Sequence, residues 1–212
     1  YERTVPTRVR AIAWNQRLPL FSNSKARRAL TLAINRRELL QVLNLPDWTP
    51  LFDILPTPDQ LLRPRGEFPE PLPYDPERAK ALLEESGWRD EDGDGVRERA
   101  GKAFRFTTLV VRTQGLDTAA VYIQAQLRKV GIQMDVQVLE ESAADERVRA
   151  GQFEAAVFIM FNPLWEHQRF FGEHSPIGYA NPRIIAKLKA AEATWNPDEV
   201  NRIYRELWPI FQ

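Results

Sequence analysis

The chain has 212 residues with 29 basic and 29 acidic side chains, so no global field draws it to nucleic acid or anionic lipid. It holds no cysteine, which excludes disulfides and thiol chemistry and is compatible with an extracytoplasmic setting. No apolar run approaches a membrane span, no signal-peptide pattern begins the chain, and the length suits one domain or one lobe of a larger protein.

Tyr1 begins the chain without Met, and Trp208 to Gln212 stop just as a helix gives way to an apolar segment. The expectation is a single lobe over residues 1–212, excised from a longer protein. Val9, Ala11 and Ala13 alternate with Arg10, Ile12 and Trp14, predicting a strand that ends at Asn15. Residues 18–23 read as a turn into a helix whose apolar stripe is Ala26, Ala29, Leu30, Ala33 and Ile34. Asn35 and Glu38 then have the spacing of a capping box that opens a second short helix. Between residues 46 and 73 the chain carries eight of its sixteen prolines, which removes backbone donors and regular structure. A loop of that length either covers a core or lines a ligand cleft, and Trp48 and Phe52 are its candidate contacts.

Asp75-Pro76-Glu77 is an N-cap followed by the proline that suits a first helical turn, and Gly87 stands where the helix should close. The acidic loop Asp90-Glu-Asp-Gly-Asp-Gly95 comes next. Phe104, Phe106, Thr108 and Val110 face one way and Leu109 and Val111 the other, predicting a strand buried on both sides. Leu116, Ala120, Ile123, Leu127 and Val130 share one helix face, and Gly131 ends it. Ile132, Met134, Val136 and Val138 alternate with polar residues, so the second strand is covered on one side only. Strand, helix and strand in this span predict a right-handed parallel crossover. A helix over 142–150, a strand over 153–160, an irregular aromatic segment over 161–181 and two final helices complete the reading, with Pro209 kinking or ending the last. The fold class is α/β, a mixed β-sheet with flanking helices that includes the βαβ unit.

Several of these phrases resemble one family. Ala11-Ile-Ala-Trp-Asn15, followed by Phe21-Ser and Lys25-Ala-Arg-Arg-Ala-Leu-Thr-Leu-Ala-Ile-Asn-Arg36, is similar to the opening signature of family 5 extracytoplasmic solute-binding proteins. These are the peptide-, dipeptide- and nickel-binding components of ABC importers. Asp75 to Trp88 resembles the family's helix, the acidic loop that often follows it is present, and Ala125 to Ile132 resembles its helix-to-strand junction. Tyr179-Ala-Asn-Pro182 and Arg202 to Leu207 resemble its closing phrases. The resemblance implies the C-terminal-side lobe of a two-lobed, extracytoplasmic, non-enzymatic periplasmic binding protein. That protein would be membrane-associated at full length and close on a peptide or small-molecule solute. Its implied partners are the N-terminal lobe of the same protein and the membrane subunits of the importer. Asn35 stands where the family has Asp, and both cap helices. Peptide binders carry an aspartate for the ligand's α-amino group after the strand ending at Met160; here no acid occurs until Glu166, which disfavours a ligand with a free N-terminus.

Asp90, Asp92 and Asp94 fall at positions 1, 3 and 5 of a calcium loop, with Glu98 at position 9, but Gly101 replaces the bidentate glutamate of position 12. A full EF-hand is excluded; a weak calcium site and a turn held by its own aspartates remain as the two readings. Glu166, His167 and His174 lack the helical pairing of zinc hydrolases, and no phosphate loop or nucleophile elbow occurs, so no resident cofactor and no catalysis are expected. The candidate solute contacts are Phe161, Asn162, Trp165 and Tyr179, beyond the C-terminal end of a strand where α/β clefts open. A stand-alone protein-interaction or sensor domain on the same fold is the alternative function. An enzyme using Glu166 and His167 would need both side chains in one pocket.

Overall fold

The structure, a computed structural model, describes residues 9–47, 49, 51, 71–113, 115–160, 163–194 and 196–211. Trp48, Phe52, Phe161 and Asn162 lie outside the described residues, as does most of the proline-rich stretch. The described strands are β1 (Val9–Trp14), β2 (Glu98–Arg99), β3 (Lys102–Ala103), β4 (Arg105–Val111), β5 (Gln133–Leu139) and β6 (Ala155–Met160). The described helices are α1 (Ser24–Leu32), α2 (Arg36–Val42), α3 (Pro76–Glu85), α4 (Leu116–Arg128), α5 (Glu141–Arg149), α6 (Pro163–Phe171), α7 (Pro182–Glu192) and α8 (Pro197–Phe211).

The chain divides into two compact units, residues 12–51 with 72–158 and residues 1–11 with 52–71 and 159–212. In the larger unit, local chemistry sets the helix starts. Asn23 Oδ1 accepts the Lys25 amide at 2.8 Å, Asn35 Oδ1 accepts that of Glu38 at 3.2 Å, and Asp75 Oδ1 accepts that of Arg78 at 2.8 Å. The capping-box expectation at Asn35 holds with a variation: the Asn35 side-chain amide donates to Glu38 Oε2 at 3.2 Å. α1 packs on α3 through Ala26, Ala29 and Leu30 against Ala79, Leu82 and Leu83, all buried. The small alanines on both helices let the backbones approach.

The four-stranded sheet has the order β1-β6-β4-β5, with β4 parallel to both β5 and β6. Central placement explains why β4 is apolar on both faces, as its sequence predicts: Phe106, Thr108, Leu109 and Val110 are all buried. β5 is an edge strand of this sheet, consistent with its alternating polar residues, and α4 packs on both β4 and β5. Phe21, Phe104 and Phe106 form an aromatic cluster with Trp14 and Trp88, their ring centroids 4.4 to 6.2 Å apart. The sequence reading did not anticipate the hairpin β2–β3, which turns through Ala100 and Gly101 at φ of 51° and 70°. Alanine rarely adopts a positive φ, so propensity alone pointed away from a tight turn there.

The smaller unit includes α6, α7 and α8. Ile184, Leu188 and Ala191 pack against Ile203, Tyr204 and Leu207, matching the stripes expected for two final helices, with Phe171, Tyr179 and Val200 against the same cluster. Two expectations are corrected here. Residues 163–171 are helical where an irregular segment was expected: Pro163 opens the helix, and His167 and Phe170 lie one turn apart on a buried face. Pro209 does not end α8, which runs on to Phe211; a proline removes one amide donor, and the amides beyond it can still reach back along the helix.

Candidate functional site

At the end of β1, Asn15 is buried and fully used. Its side-chain amide donates to the carbonyls of Phe153 at 2.8 Å and Gly151 at 3.3 Å, and its Oδ1 accepts the Arg17 amide at 3.2 Å. It holds the turn that delivers β6, and beyond β6 lie the residues proposed from sequence to meet a solute. Of these, Trp165 is placed in α6, two residues after Pro163, so it sits on a regular helix. Tyr179 is half-buried, its ring edge-on to Phe171 at 5.2 Å, and it packs against the α7–α8 cluster. The structure therefore ties Tyr179 to the core of its unit.

Glu166 and His167 fall in α6 as neighbours along the helix. Glu166 faces Arg169 at 3.9 Å, an i,i+3 pair. His167 is fully buried, its ring 5.2 Å from that of Tyr204 and 6.0 Å from that of Phe171, whereas His174 is exposed. Burial pushes the Tyr204 hydroxyl well above its ordinary value, as an apolar surrounding should. His167 belongs to a packed aromatic cluster.

The acidic loop is self-contained. Asp90 accepts the amides of Gly93 at 2.8 Å and Gly95 at 3.1 Å, Asp92 that of Asp94 at 3.1 Å, and Asp94 that of Val96 at 2.7 Å. Glu98 Oε2 accepts the Glu91 amide at 2.9 Å. Gly93 and Gly95 have φ of 81° and 87°, which this winding requires. Asp90, Asp92 and Glu98 each bring a carboxylate oxygen within 4.8 Å of the others, a set that oxygen-seeking cations such as calcium suit. Asp94 is not in that set, so three of the four ligands proposed from sequence converge.

One residue to which the sequence reading gave no role organises the neighbourhood. Arg97 donates from Nε to the Val130 carbonyl at 2.9 Å and from Nη1 to the Trp88 carbonyl at 3.0 Å, and both Nη atoms lie 3.3 Å from Glu84 Oε1. Its backbone amide donates to the Gly131 carbonyl at 2.8 Å. Arg99 stacks over Trp88, 4.5 Å from the ring centroid, and donates to the Pro19 carbonyl at 2.7 Å. An arginine in a charged loop carries no sequence signal for such contacts, because its partners are carbonyls distant in the chain.

A family profile described as "Bacterial extracellular solute-binding proteins, family 5 Middle" matches residues 2–175. The chain is 31% identical over 150 residues to the oligopeptide-binding protein AppA of Bacillus subtilis (strain 168), covering 70% of this chain and 27% of that protein. It is 32% identical over 144 residues to the nickel-binding periplasmic protein of Escherichia coli (strain K12), covering 66% and 25%. The solved structure of AppA from Bacillus subtilis in complex with a nonapeptide superposes with a TM-score of 0.79 at 27% identity, over 94% of this chain and 42% of that one. The chain thus spans about a quarter of the length of these curated relatives.

Proposed function

Because the chain belongs to the bacterial extracellular solute-binding proteins of family 5, we propose that it forms one lobe of the substrate-binding component of an ABC importer. The two compact units together make up that lobe, and a second lobe supplies the rest of the solute contacts. The carrying observation is the match of residues 2–175 to the family, supported by a TM-score of 0.79 to a peptide-binding relative. The protein works outside the cytoplasm, as the family's description implies, and delivers its solute to the importer's membrane subunits. Among the described residues, no helix is long and apolar enough to cross a membrane.

The mechanism follows from partial contact. Each lobe alone offers only part of a solute's surface, so a ligand that bridges both favours the closed arrangement by its differential affinity for it. The solute is peptide-like or another small molecule. It is met beyond the end of β6 by Phe161, Asn162 and Trp165, with Trp48 and Phe52 from the proline-rich stretch as further contacts. Tyr179, a further candidate contact, is held by its packing on Phe171. Glu166, the first acid after β6, is drawn toward Arg169, which supports a ligand whose N-terminal ammonium is not read by this lobe.

Calorimetry with a nonapeptide pool, free and N-acetylated, tests this on the full-length protein and on this chain. N-acetylation should leave the affinity of the isolated chain unchanged, and that chain should bind at least about 100-fold more weakly than the full-length protein, a loss of about 2.7 kcal/mol. Trp165→Ala in the full-length protein should weaken binding about tenfold or more. Equal affinity of chain and full-length protein would sink the two-lobe account.

A further inference from the structure

A concave surface of about 580 Å³ lies between α3, the acidic loop and the end of α4, within the larger unit. Lys80, Arg89, Arg97, Arg128 and Lys129 line it, against two acids, Glu84 and Asp90. In a chain of zero formal charge, that is a local excess of cations.

Both acids already have donors, and they are outnumbered five to two by the cations of the lining. Glu84 is held by both Nη atoms of Arg97, and the two oxygens of Asp90 accept the Gly93 and Gly95 amides. The negative end of α4 would ordinarily repel an anion here. Arg97 sets a cation beside that end, its side chain taking the Val130 carbonyl and its amide the Gly131 carbonyl, both just past the helix. Among the described residues, the remaining positive charges have weak partners or none. There Lys80 meets Glu77, itself 80% exposed, and Lys129 meets the neutral Gln126 at 3.5 Å. The side chains of Arg89 and Arg128 bond no other described residue, yet their backbones are fixed. Arg89 exchanges backbone hydrogen bonds with Glu98 in both directions, and Arg128 closes α4.

We propose that this cleft is a binding site for a compact polyanion of the pyrophosphate class. Arg89 and Arg128 supply the forked donors, and Lys80 and Lys129 the point charges. A concave site of this volume suits a small molecule, where an anionic bilayer presents a flat surface. The occupant therefore differs in kind from the transported solute and would adjust the stability of the lobe.

Calorimetry and thermal melting with sodium pyrophosphate, on this chain at about 50 mM salt, test the site. Binding tighter than about 1 mM with a rise in melting temperature is expected. The double variant Arg89→Ser with Arg128→Ser should melt normally without pyrophosphate, because neither side chain bonds another described residue, and should bind at least about tenfold more weakly, or about 1.4 kcal/mol. Absence of heat up to about 10 mM, or undiminished affinity in the double variant, overturns the proposal. Co-sedimentation with phosphatidylglycerol vesicles that pyrophosphate fails to compete would assign the cleft to a membrane and overturn it too.

Discussion

At the scale of single residues, the most constrained positions are those where backbone and a distant side chain meet. Gly131 closes α4 with a φ of 83°, and a Cβ there would come within 2.8 Å of Arg97 Cγ. Gly131→Ala therefore combines a left-handed backbone with displacement of Arg97 and should cost about 2 kcal/mol, read as a lower denaturant midpoint at unchanged slope. The sequence named Gly131 correctly as a helix terminator, since the spacing from Val130 and the polar strand beyond it are local signals. Arg97 was out of reach, because its role rests on Val130, Trp88 and Glu84 arriving together in space. Asn15 lies between these cases. Its place at the end of a strand was legible, while its bonds reach Phe153 and Gly151, 138 and 136 positions away in the chain.

At the scale of elements, the acidic loop separates a motif from its use. Its aspartates serve first as caps for the loop's own amides, and three carboxylates converge without a bidentate partner. We propose millimolar-class cation affinity for Asp90, Asp92 and Glu98: calorimetry should show no calcium heat below about 0.1 mM, and saturation at micromolar calcium would refute this. Asp90→Ala, which orphans the Gly93 and Gly95 amides, should lower stability by about 1 kcal/mol even with calcium absent. Strong 3.6-residue and two-residue periodicities made α1, α3, α4, β4 and β5 readable. α6 was not legible because it is short, opens on a proline, and mixes aromatic, charged and polar residues. The hairpin β2–β3 was missed because two-residue strands have no period to detect.

At the scale of the molecule, charge is balanced by surface pairs that set an acid limit. Hydrogen bonds from Lys25, Lys189 and Lys187 hold Glu85, Glu173 and Glu206 below the ordinary carboxylate range. A depressed folded pKa contributes stability above the unfolded value and loses it as pH falls through the folded one. The melting temperature should therefore fall as pH drops below 4.5, more gently in high salt, and less steeply in the triple Glu→Gln variant at positions 85, 173 and 206. Tyr204, raised by burial, and Tyr122, raised by burial and then by its bond to Glu38, act in the opposite sense. Their contribution is present below the ordinary tyrosine value of 10.0 and is lost as pH rises above it.

The order of strands across the sheet also sets an order in time. β1 takes its place beside β6, and Asn15 bonds Phe153 across 138 positions of chain. β4 and β5, by contrast, are joined by one helix and can pair as soon as α4 has formed. Closing the longer loop costs more entropy, so β1 is expected to join the sheet after β4 and β5 have paired. Until then its edge stays open.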